Sequence, residues 1–315
     1  MAKYLITGGA GFIGSTIANT LLAQGQTVVV VDDLSMGQVQ NLNQSDQLHF
    51  LKHSITDHDF INDLLDQEKF DYILLVGAVA SVADSIAEPG RTHAVNAEAN
   101  FNILEHLRKE KLPLKNLLFI SSAAVYGNLA GVPKNELSPV EPATQYAVDK
   151  YSTERNVINY HNLYGMPTVA VRLFNIYGPK QNPKSPYSGV LSIITDCLMN
   201  DKSFKQFGDG EQVRDFTYVT DVVNCILALL EDSRALGEVV NIGTGQKATL
   251  NEVITIIEDI TGHKLKKDVL PERKGDIKYS YGDPSKLNDL GLVAKVDLKT
   301  GLRKYWEYLL ENREH

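Results

Sequence analysis

The stretch "LITGGAGFIGSTI", residues 5–17, places three glycines, Gly8, Gly11 and Gly14, between an apolar run and a segment with a helical pattern. Glycine permits a tight turn after a strand. It also lets backbone N–H groups at the start of the next helix approach a phosphate. The spacing GxxGxxG therefore predicts a strand–turn–helix phosphate loop.

The next apolar run, "TVVVVDDL" at residues 27–34, ends in two acids. Asp32 follows Gly14 by 18 residues, near the ~20 at which a carboxylate binds the ribose hydroxyls of a dinucleotide. A carboxylate there repels the 2′-phosphate of NADP, and no arginine stands beside it in the sequence. The two motifs together predict an NAD site.

The first half of the chain alternates short β-rich runs with helical patterns. The runs are apolar on both faces, which predicts a parallel sheet covered by helices on both sides. The pattern loosens after residue 175, where a loop rich in Pro and Gly is predicted at 178–189. We expect residues 1–175 to form an NAD-binding domain and residues 176–315 mainly a substrate domain. Segments near 215–243 are expected to return to the first domain.

The composition is that of a folded protein: 315 residues, 43% hydrophobic, with a net charge of −8. An acidic balance argues against nucleic-acid binding. Cys197 and Cys225 have no metal-type spacing, so we expect two reduced, packed thiols and no metal site. No leader pattern and no ~18-residue apolar run is found, so a cytoplasmic protein without membrane contact is expected.

The stretch "TQYAVDKYSTE", residues 144–154, sets Tyr146 four residues before Lys150, and such residues share one face of a helix. A nearby ammonium lowers the pKa of a phenol from its usual ~10, which allows the phenol to act as a general base. The same spacing would also arise from a core tyrosine and a solvated lysine. The phosphate loop upstream favours the reactive reading. Ser122, at the end of the predicted strand "NLLFISSA", is placed to bind the same substrate hydroxyl.

Six motifs occur along essentially the whole chain in the order seen in the extended short-chain dehydrogenase/reductase family. More narrowly, the chain resembles the NAD-dependent UDP-hexose 4-epimerases. The motifs are "TGGAGFIG", "SSAAVYG", "YAVDK", "RLFNIYGP", "GDGEQVRDFTYVTD" and "PERKGD". The resemblance implies a Rossmann-type α/β fold, a doubly wound parallel sheet with a smaller C-terminal α/β substrate domain. It also implies a UDP-sugar substrate and a homodimer built from the helices at 94–111 and 146–165.

The same resemblance implies three sets of site residues. The catalytic set is Ser122, Tyr146 and Lys150. The cofactor-binding set is Gly8, Gly11, Phe12, Ile13, Gly14, Asp32, Asp33, Ser35, Ser54, Ile55, Gly77, Ala78, Ala80, Asn96, Tyr146 and Lys150. The substrate-binding set is Ser122, Tyr146, Asn175, Val190, Gln206, Phe207, Arg214, Arg273, Asp276 and Ser280.

Two features bear on how these sets bind their ligands. Arg214 and Arg273 are expected to hold the diphosphate, because an acidic protein needs local arginine forks to bind an anion. Ser54 departs from the family pattern, which has an adenine-binding Asp there, so NAD is expected to be held more weakly or differently. "LVGA" at 75–78 replaces the common "HLAA" and keeps a small Gly77 near the cofactor.

The reaction implied is inversion at the sugar C4 through a 4-keto intermediate, with Tyr146 as the base. A 4,6-dehydratase is disfavoured, because its acid–base pair would fall on Ala123 and Ala124. Epimerisation or decarboxylation of a UDP-uronate stays open, as does a non-catalytic NAD-binding role on the same fold.

The sugar itself is indicated by the position four residues after Asp276. Epimerases restricted to UDP-glucose and UDP-galactose carry a Tyr there, and this chain has Ser280. We therefore expect room for an acetamido group, unless Tyr279 or Tyr281 fills it. His93 is predicted only to cap a helix or face solvent.

Overall fold

The computed structural model describes residues 1–181, 189–272 and 277–313. Its strands are β1 (Lys3–Thr7), β2 (Thr27–Val31), β3 (Leu48–Leu51), β4 (Tyr72–Leu75), β5 (Asn116–Ser122), β6 (Thr168–Leu173), β7 (Ile176–Tyr177), β8 (Phe204–Phe207), β9 (Val213–Arg214), β10 (Thr217–Tyr218), β11 (Val239–Ile242), β12 (Ala248–Thr249), β13 (Lys267–Leu270) and β14 (Tyr279–Ser280). Its α-helices are α1 (Phe12–Ala23), α2 (His58–Glu68), α3 (Val82–Ala87), α4 (Pro89–His93), α5 (Ala99–Glu110), α6 (Gln145–Tyr164), α7 (Val190–Met199), α8 (Val219–Glu231), α9 (Leu250–Thr261), α10 (Ser285–Asp289) and α11 (Leu298–Glu311).

Seven parallel strands form the central sheet, in the order β11-β6-β5-β4-β1-β2-β3. The chain winds outward in both directions from β1, so the strand order reverses between β1 and β4. Ligands bind at the carboxyl ends of the strands beside such a reversal. This arrangement confirms the predicted Rossmann-type doubly wound sheet.

Helices cover both faces of this sheet, because its strands are apolar on both sides. One core cluster packs α1 and α8 against the sheet, with Ile17 and Ile226 fully buried. The other packs α2, α5 and α6, with Leu65, Leu104 and Val157 buried. The sheet is therefore fixed on both faces, and the residues that follow β1, β4, β5 and β6 start from rigid positions.

The edge strand β3 was not predicted from the sequence. Its four residues, "LHFL", alternate only weakly, and its burial is partial. It pairs with β2 in the register Val28↔Leu48 to Val31↔Leu51. Since a short edge strand has one neighbour and one open side, its pattern in the sequence is faint.

The stretch near 215–243 divides between two places. β11 joins the central sheet beside β6, and α8 packs against α1, β5 and β6. β10 does not enter that sheet and instead pairs with β7 in a separate two-stranded ladder. Two-residue strands of this kind carry no period that a sequence could reveal.

The C-terminal half has its own core, made by α7, α9 and α11 with residues such as Ile194, Val253 and Tyr305. α9 begins with a reciprocal capping box between Thr249 and Glu252 and ends at Gly262, with φ 71°. β9 lies between β12 and β14, and β8 pairs with β13. In the described part of the chain, no helix is long and apolar enough to cross a bilayer.

The helix predicted at 94–111 is not uniform. Residues Ala94–Glu98 form one turn of π-helix between α4 and α5, with Asn96 at its centre. Such turns are rare and concentrate at functional sites. Cys197 and Cys225 are buried free thiols, as predicted.

Candidate active site

The phosphate loop depends on glycine at two points. Gly8 has φ 64°, and a Cβ there would lie 2.5 Å from the Gly77 Cα, at the end of β4. A Cβ on Gly14 would overlap the carbonyl oxygen of Gly8. The loop, the first turn of α1 and the end of β4 therefore approach one another as closely as backbone allows.

The N-terminus of α1 is built to receive an anion. Gly11 is the N-cap, no side chain caps the helix, and no acidic residue lies in its first turn. The N–H groups of Phe12 and Ile13 have no hydrogen-bond acceptor among the described residues. Free N–H groups and the helix dipole together favour a phosphate at this end. The loop thus fits the pyrophosphate of a dinucleotide.

Asp32 joins the end of β2 to this loop. Its carboxylate accepts from the Ala10 N–H at 2.9 Å and from the Leu34 N–H at 2.8 Å. Burial raises the pKa of Asp32, and these two hydrogen bonds oppose that rise. Each carboxylate oxygen keeps a second lone pair, which suits a ribose hydroxyl. Asp33 is exposed, and its carboxylate accepts from the Ser35 N–H at 2.8 Å in a local turn.

Ser54 and Ile55 follow β3 at the same edge of the sheet. The Ser54 hydroxyl lies 2.8 Å from the Thr56 hydroxyl and accepts from the Thr56 N–H at 3.3 Å. Ile55 is buried. The Ser54 side chain is therefore engaged within its own turn, in line with a weaker hold on adenine than an Asp would give.

Asn96 acts on the loop that follows β4. Its side chain accepts from the Val79 N–H at 2.8 Å and donates to the Val79 carbonyl at 3.0 Å. The amide is fully buried, and both of its functions are used on Val79. Asn96 thereby fixes the segment containing Gly77, Ala78 and Ala80, the residues predicted to lie against the cofactor.

Ser122, Tyr146 and Lys150 meet at the carboxyl end of β5. The Ser122 hydroxyl oxygen accepts from the Ala124 N–H at 3.1 Å, and this hydroxyl is close enough to the Tyr146 phenol to influence its pKa. The Lys150 ammonium donates to the Ile120 carbonyl at 2.7 Å. The three side chains are thus held by one strand end and one helix, α6.

Electrostatics at this site follow from burial. Burial raises the pKa of Tyr146, and the Ser122 hydroxyl opposes that rise. The lowering of this pKa that was predicted from Lys150 is therefore not found in the folded chain, because burial has the larger effect. Burial lowers the pKa of Lys150 to about 7, and the neighbouring Asp149 opposes that change. Lys150 is therefore close to the midpoint of its titration at neutral pH, and its charge is sensitive to its surroundings.

The predicted substrate residues line the next strand ends. Asn175 follows β6 with a strained φ of 29°, an exposed side chain, and a 2.9 Å hydrogen bond to the Asp215 carbonyl. Strain of this kind clusters at functional sites. Arg214 lies in β9, where its Cα partner in β14 is Ser280. Val190 begins α7, while Gln206 and Phe207 end β8. Arg273 and Asp276 lie outside the described residues.

Asp215 was not predicted and holds this region together. It is fully buried and accepts from the Thr244 N–H, the Thr244 hydroxyl, the Gly245 N–H and the Gly282 N–H at 2.5–3.4 Å. Its own N–H donates to the Ser280 carbonyl at 3.1 Å. It thereby fixes β14 beside Arg214. The only signal was its place in the motif "GDGEQVRDFTYVTD".

His93 was predicted to cap a helix or face solvent, and it does face solvent, but the prediction missed a contact with a buried carboxylate. Its Nδ1 lies 2.7 Å from the carboxylate of the fully buried Asp149, while about half of its side chain is exposed. No pattern in the sequence could reveal this contact, since the two residues stand 56 positions apart.

A cavity of about 400 Å³ lies elsewhere, between α11 and the ends of α7 and β13. Trp306, Lys202 and Lys264 are among its lining residues, and none of the predicted site residues lines it. The predicted site residues therefore lie apart from this cavity.

Comparison with known proteins points to one family. The model of the NAD dependent epimerase/dehydratase family matches residues 4–243. A UDP-glucose 4-epimerase of Mycolicibacterium smegmatis is 34% identical over 97% of this chain and 98% of its own length. The structure of a UDP-glucose 4-epimerase of Thermotoga maritima with UDP-glucose superposes with a TM-score of 0.93, at 36% identity over 99% of both chains. A UDP-N-acetylglucosamine 4-epimerase of Methanobrevibacter ruminantium, in complex with UDP-N-acetylmuramic acid, gives 0.92 at 32% identity over 98% of both chains.

Proposed function

Because the chain belongs to the NAD-dependent epimerase/dehydratase family, we propose that it is a UDP-sugar 4-epimerase. We propose further that it interconverts UDP-N-acetylglucosamine and UDP-N-acetylgalactosamine, and that it also turns over UDP-glucose and UDP-galactose. The predicted cofactor, NAD, is confirmed by the family. The observation that carries the proposal is the meeting of Ser122, Tyr146 and Lys150 at the end of β5, beside a loop that fits a pyrophosphate.

Each of the three residues has a defined task in this reaction. The Ser122 oxygen already accepts from the Ala124 N–H, so its own proton is available to the Tyr146 phenol or to a sugar hydroxyl. Tyr146, as the phenolate, takes the proton from the C4 hydroxyl and later returns it. A charged Lys150 on the same face of α6 stabilises that phenolate.

NAD held by the phosphate loop and Asp32 would supply the hydride acceptor and donor for C4. The sugar passes through a 4-keto form, turns, and presents its other face to the same residues. The site must therefore hold the nucleotide firmly while leaving the sugar ring free to rotate. We propose that Arg214 and Arg273 hold the diphosphate.

The dehydratase alternative requires an acid and a base directly after Ser122. Ala123 and Ala124 occupy a turn of 3₁₀-helix there, and neither methyl group can transfer a proton. Elimination of water across C5 and C6 therefore has no catalyst at this position. Epimerisation without elimination needs none.

The choice of the acetylated sugar rests on Ser280. Successive side chains of a strand point to opposite faces, so Tyr279 in β14 points away from the face that Ser280 occupies. Tyr279 is 51% exposed. Ser280 is paired with Arg214, the residue proposed to hold the diphosphate. Because the Ser280 side chain is small, it leaves room there for an acetamido group, which supports an N-acetylated substrate.

A panel of UDP-sugars tests the proposal. Purified protein is incubated with UDP-N-acetylglucosamine, UDP-glucose and UDP-glucuronate, and the epimers are separated by chromatography. We expect the N-acetylated pair to reach equilibrium fastest, and Tyr146→Phe to abolish turnover of every substrate. If UDP-glucuronate is converted fastest, the protein is a UDP-uronate 4-epimerase instead. No conversion of any sugar by NAD-loaded protein would overturn the proposed function.

A further inference from the structure

Asp149 immediately precedes Lys150 in α6, and its side chain is fully buried. Its Oδ1 accepts from the Gln145 amide at 2.8 Å and lies 2.7 Å from the His93 Nδ1. Its Oδ2 is buried and has no hydrogen-bond partner among the described residues. A buried carboxylate so sparsely solvated exerts a strong field on nearby charges.

Lys150 depends on that field. It is 3% exposed, and its one recorded hydrogen bond goes to an uncharged group, the Ile120 carbonyl. Burial disfavours the ammonium, and Asp149 is the charged group that opposes this effect. Burial has the larger effect on the pKa of Lys150, and the Asp149 charge offsets part of it.

His93 controls how much of that charge is compensated. It ends α4, where the π-helical turn begins, and 48% of its side chain is exposed. The acidic groups facing it are Asp149 on α6 and Glu98, whose carboxylate lies 4.0 Å from Nε2. The hydrogen bond to Asp149 raises the pKa of His93, and burial opposes it. Solvent thus reaches one edge of the ring, and the buried carboxylate meets the other.

We propose that His93 and Asp149 form a positioning pair that sets the charge of Lys150. With a neutral imidazole, the full Asp149 charge stabilises the Lys150 ammonium. With an imidazolium, the pair is internally neutral and the ammonium loses that support. The link from Lys150 to Tyr146, the proposed base, rests on the proposed function. The effect of the pair on the charge of Lys150 does not depend on which substrate is bound.

The direction of the coupling follows from charge balance. As the pH rises through the range in which His93 titrates, His93 releases its proton and Lys150 keeps its own to higher pH. The ammonium therefore persists to a higher pH than it would without the Asp149 charge. The same pair also fastens α6 to α4, next to the turn that carries Asn96.

Two substitutions separate the electrostatic role from the structural one. His93→Asn places a neutral amide donor near the position of Nδ1, so the contact stays and the titration goes. Asp149→Asn removes the charge. The matched controls are His106→Gln and Asp66→Asn, because His106 Nε2 and Asp66 form a second His–Asp pair, 2.9 Å apart, that joins α5 to α2.

The readout is the pKa of Lys150 itself, followed by NMR of the carbon beside its ammonium in NAD-loaded protein and assigned with Lys150→Met. We expect Asp149→Asn to lower this pKa by about 0.5–1 unit and His93→Asn to raise it by a smaller amount. Both controls should leave it unchanged. The basic limb of the kcat/KM profile, where the Lys150 ammonium loses its proton, should move in the same two directions.

Shifts of the Lys150 pKa in opposite directions in the two variants support the proposed pair. Lost packing alone would not raise this pKa in one variant and lower it in the other. Shifts of the same sign, or none, overturn the proposal. If Asp149→Asn does not fold, His93→Asn decides alone: a raised Lys150 pKa supports the proposal, and an unchanged one overturns it. The titration of Lys150 requires no sugar. It therefore tests the effect of His93 and Asp149 on Lys150 even if the protein converts no UDP-sugar.

Discussion

The Lys150 ammonium lies 2.7 Å from the carbonyl oxygen of Ile120, two residues before Ser122 in β5. This hydrogen bond joins the helix that carries Tyr146 to the strand that carries Ser122. Since Tyr146 and Lys150 are one turn apart, fixing the lysine also fixes the phenol. The geometry of the three proposed catalytic residues is therefore set by backbone as much as by side chains.

Removal of the phenol is expected to abolish turnover. Tyr146→Phe should lose several orders of magnitude in kcat, because no other group at the end of β5 can take the C4 proton. Ser122→Ala should lose on the order of 10²–10³, as for one positioned hydrogen bond. Steady-state kinetics measure both losses, and circular dichroism should show an unchanged fold. Near-wild-type turnover by Tyr146→Phe would contradict the assignment.

The buried ammonium of Lys150 should lower the free energy of unfolding by an amount that depends on pH. Burial lowers the pKa of Lys150 to about 7 in the folded chain, from its ordinary value of 10.5. The unfolded chain therefore binds the extra proton between these values, and stability rises with pH across that window. The cost is fully present below about pH 7. Lys150→Met should thus stabilise the protein at pH 7 by on the order of 1–3 kcal/mol while destroying activity.

The measurement is chemical denaturation of wild type and Lys150→Met at several pH values. The stability difference should shrink as the pH rises from 7 toward 10. Lys180→Met serves as a comparison, because burial also lowers the pKa of Lys180, away from the catalytic residues. A difference that stays constant with pH would show that the folded protein does not depress the pKa of Lys150.

The sugar pocket can be closed by one substitution. Ser280→Tyr should selectively remove activity on the N-acetylated pair, because overfilling a packed pocket costs ~1–3 kcal/mol or more. Ser280→Ala keeps the small volume and should keep the wild-type ratio of kcat/KM for the two sugar pairs. An unchanged ratio in Ser280→Tyr would rule out this pocket.

Cofactor choice should depend on the Asp32 carboxylate. Wild-type protein freed of nucleotide is expected to bind NAD far more tightly than NADP in calorimetric titrations. Asp32→Asn should reduce the difference in affinity between NAD and NADP, because the carboxylate that repels the 2′-phosphate of NADP is lost. Asp33→Asn removes an equal charge from an exposed neighbour and should change this difference little. Equal affinities in the wild type would contradict the role given to Asp32.

A homodimer through α5 and α6 is expected, because Phe101, Val148 and Tyr164 leave 44–52% of their apolar side chains exposed there. Light scattering should give twice the chain mass at micromolar concentration. Phe101→Glu should yield monomers, whereas Leu137→Glu, at a 94% exposed position elsewhere, should not. A monomeric wild type would refute the expectation.

Much of the site could be predicted because its signals are local. Gly8 and Gly14 indicate a turn that only glycine can adopt. Tyr146 and Lys150 are predicted to share one helix face from their spacing alone. Ser280 was found by counting from a motif, although Arg273 and Asp276, its companions, lie outside the described residues. By contrast, the π-helical turn around Asn96 has no sequence pattern, since it differs from an α-helix only in the packing it must meet.

The sequence by itself determined the alternation of strands and helices, the phosphate loop and the choice of NAD, because backbone preferences and side-chain periodicity act between near neighbours. Only the tertiary structure decided that His93 meets Asp149 beside Lys150, and that Asp215 gathers Thr244, Gly245 and Gly282 around β14. These contacts join residues 29 to 67 positions apart. Their existence depends on where the sheet and its covering helices bring separate segments, and burial then gives each contact its electrostatic strength.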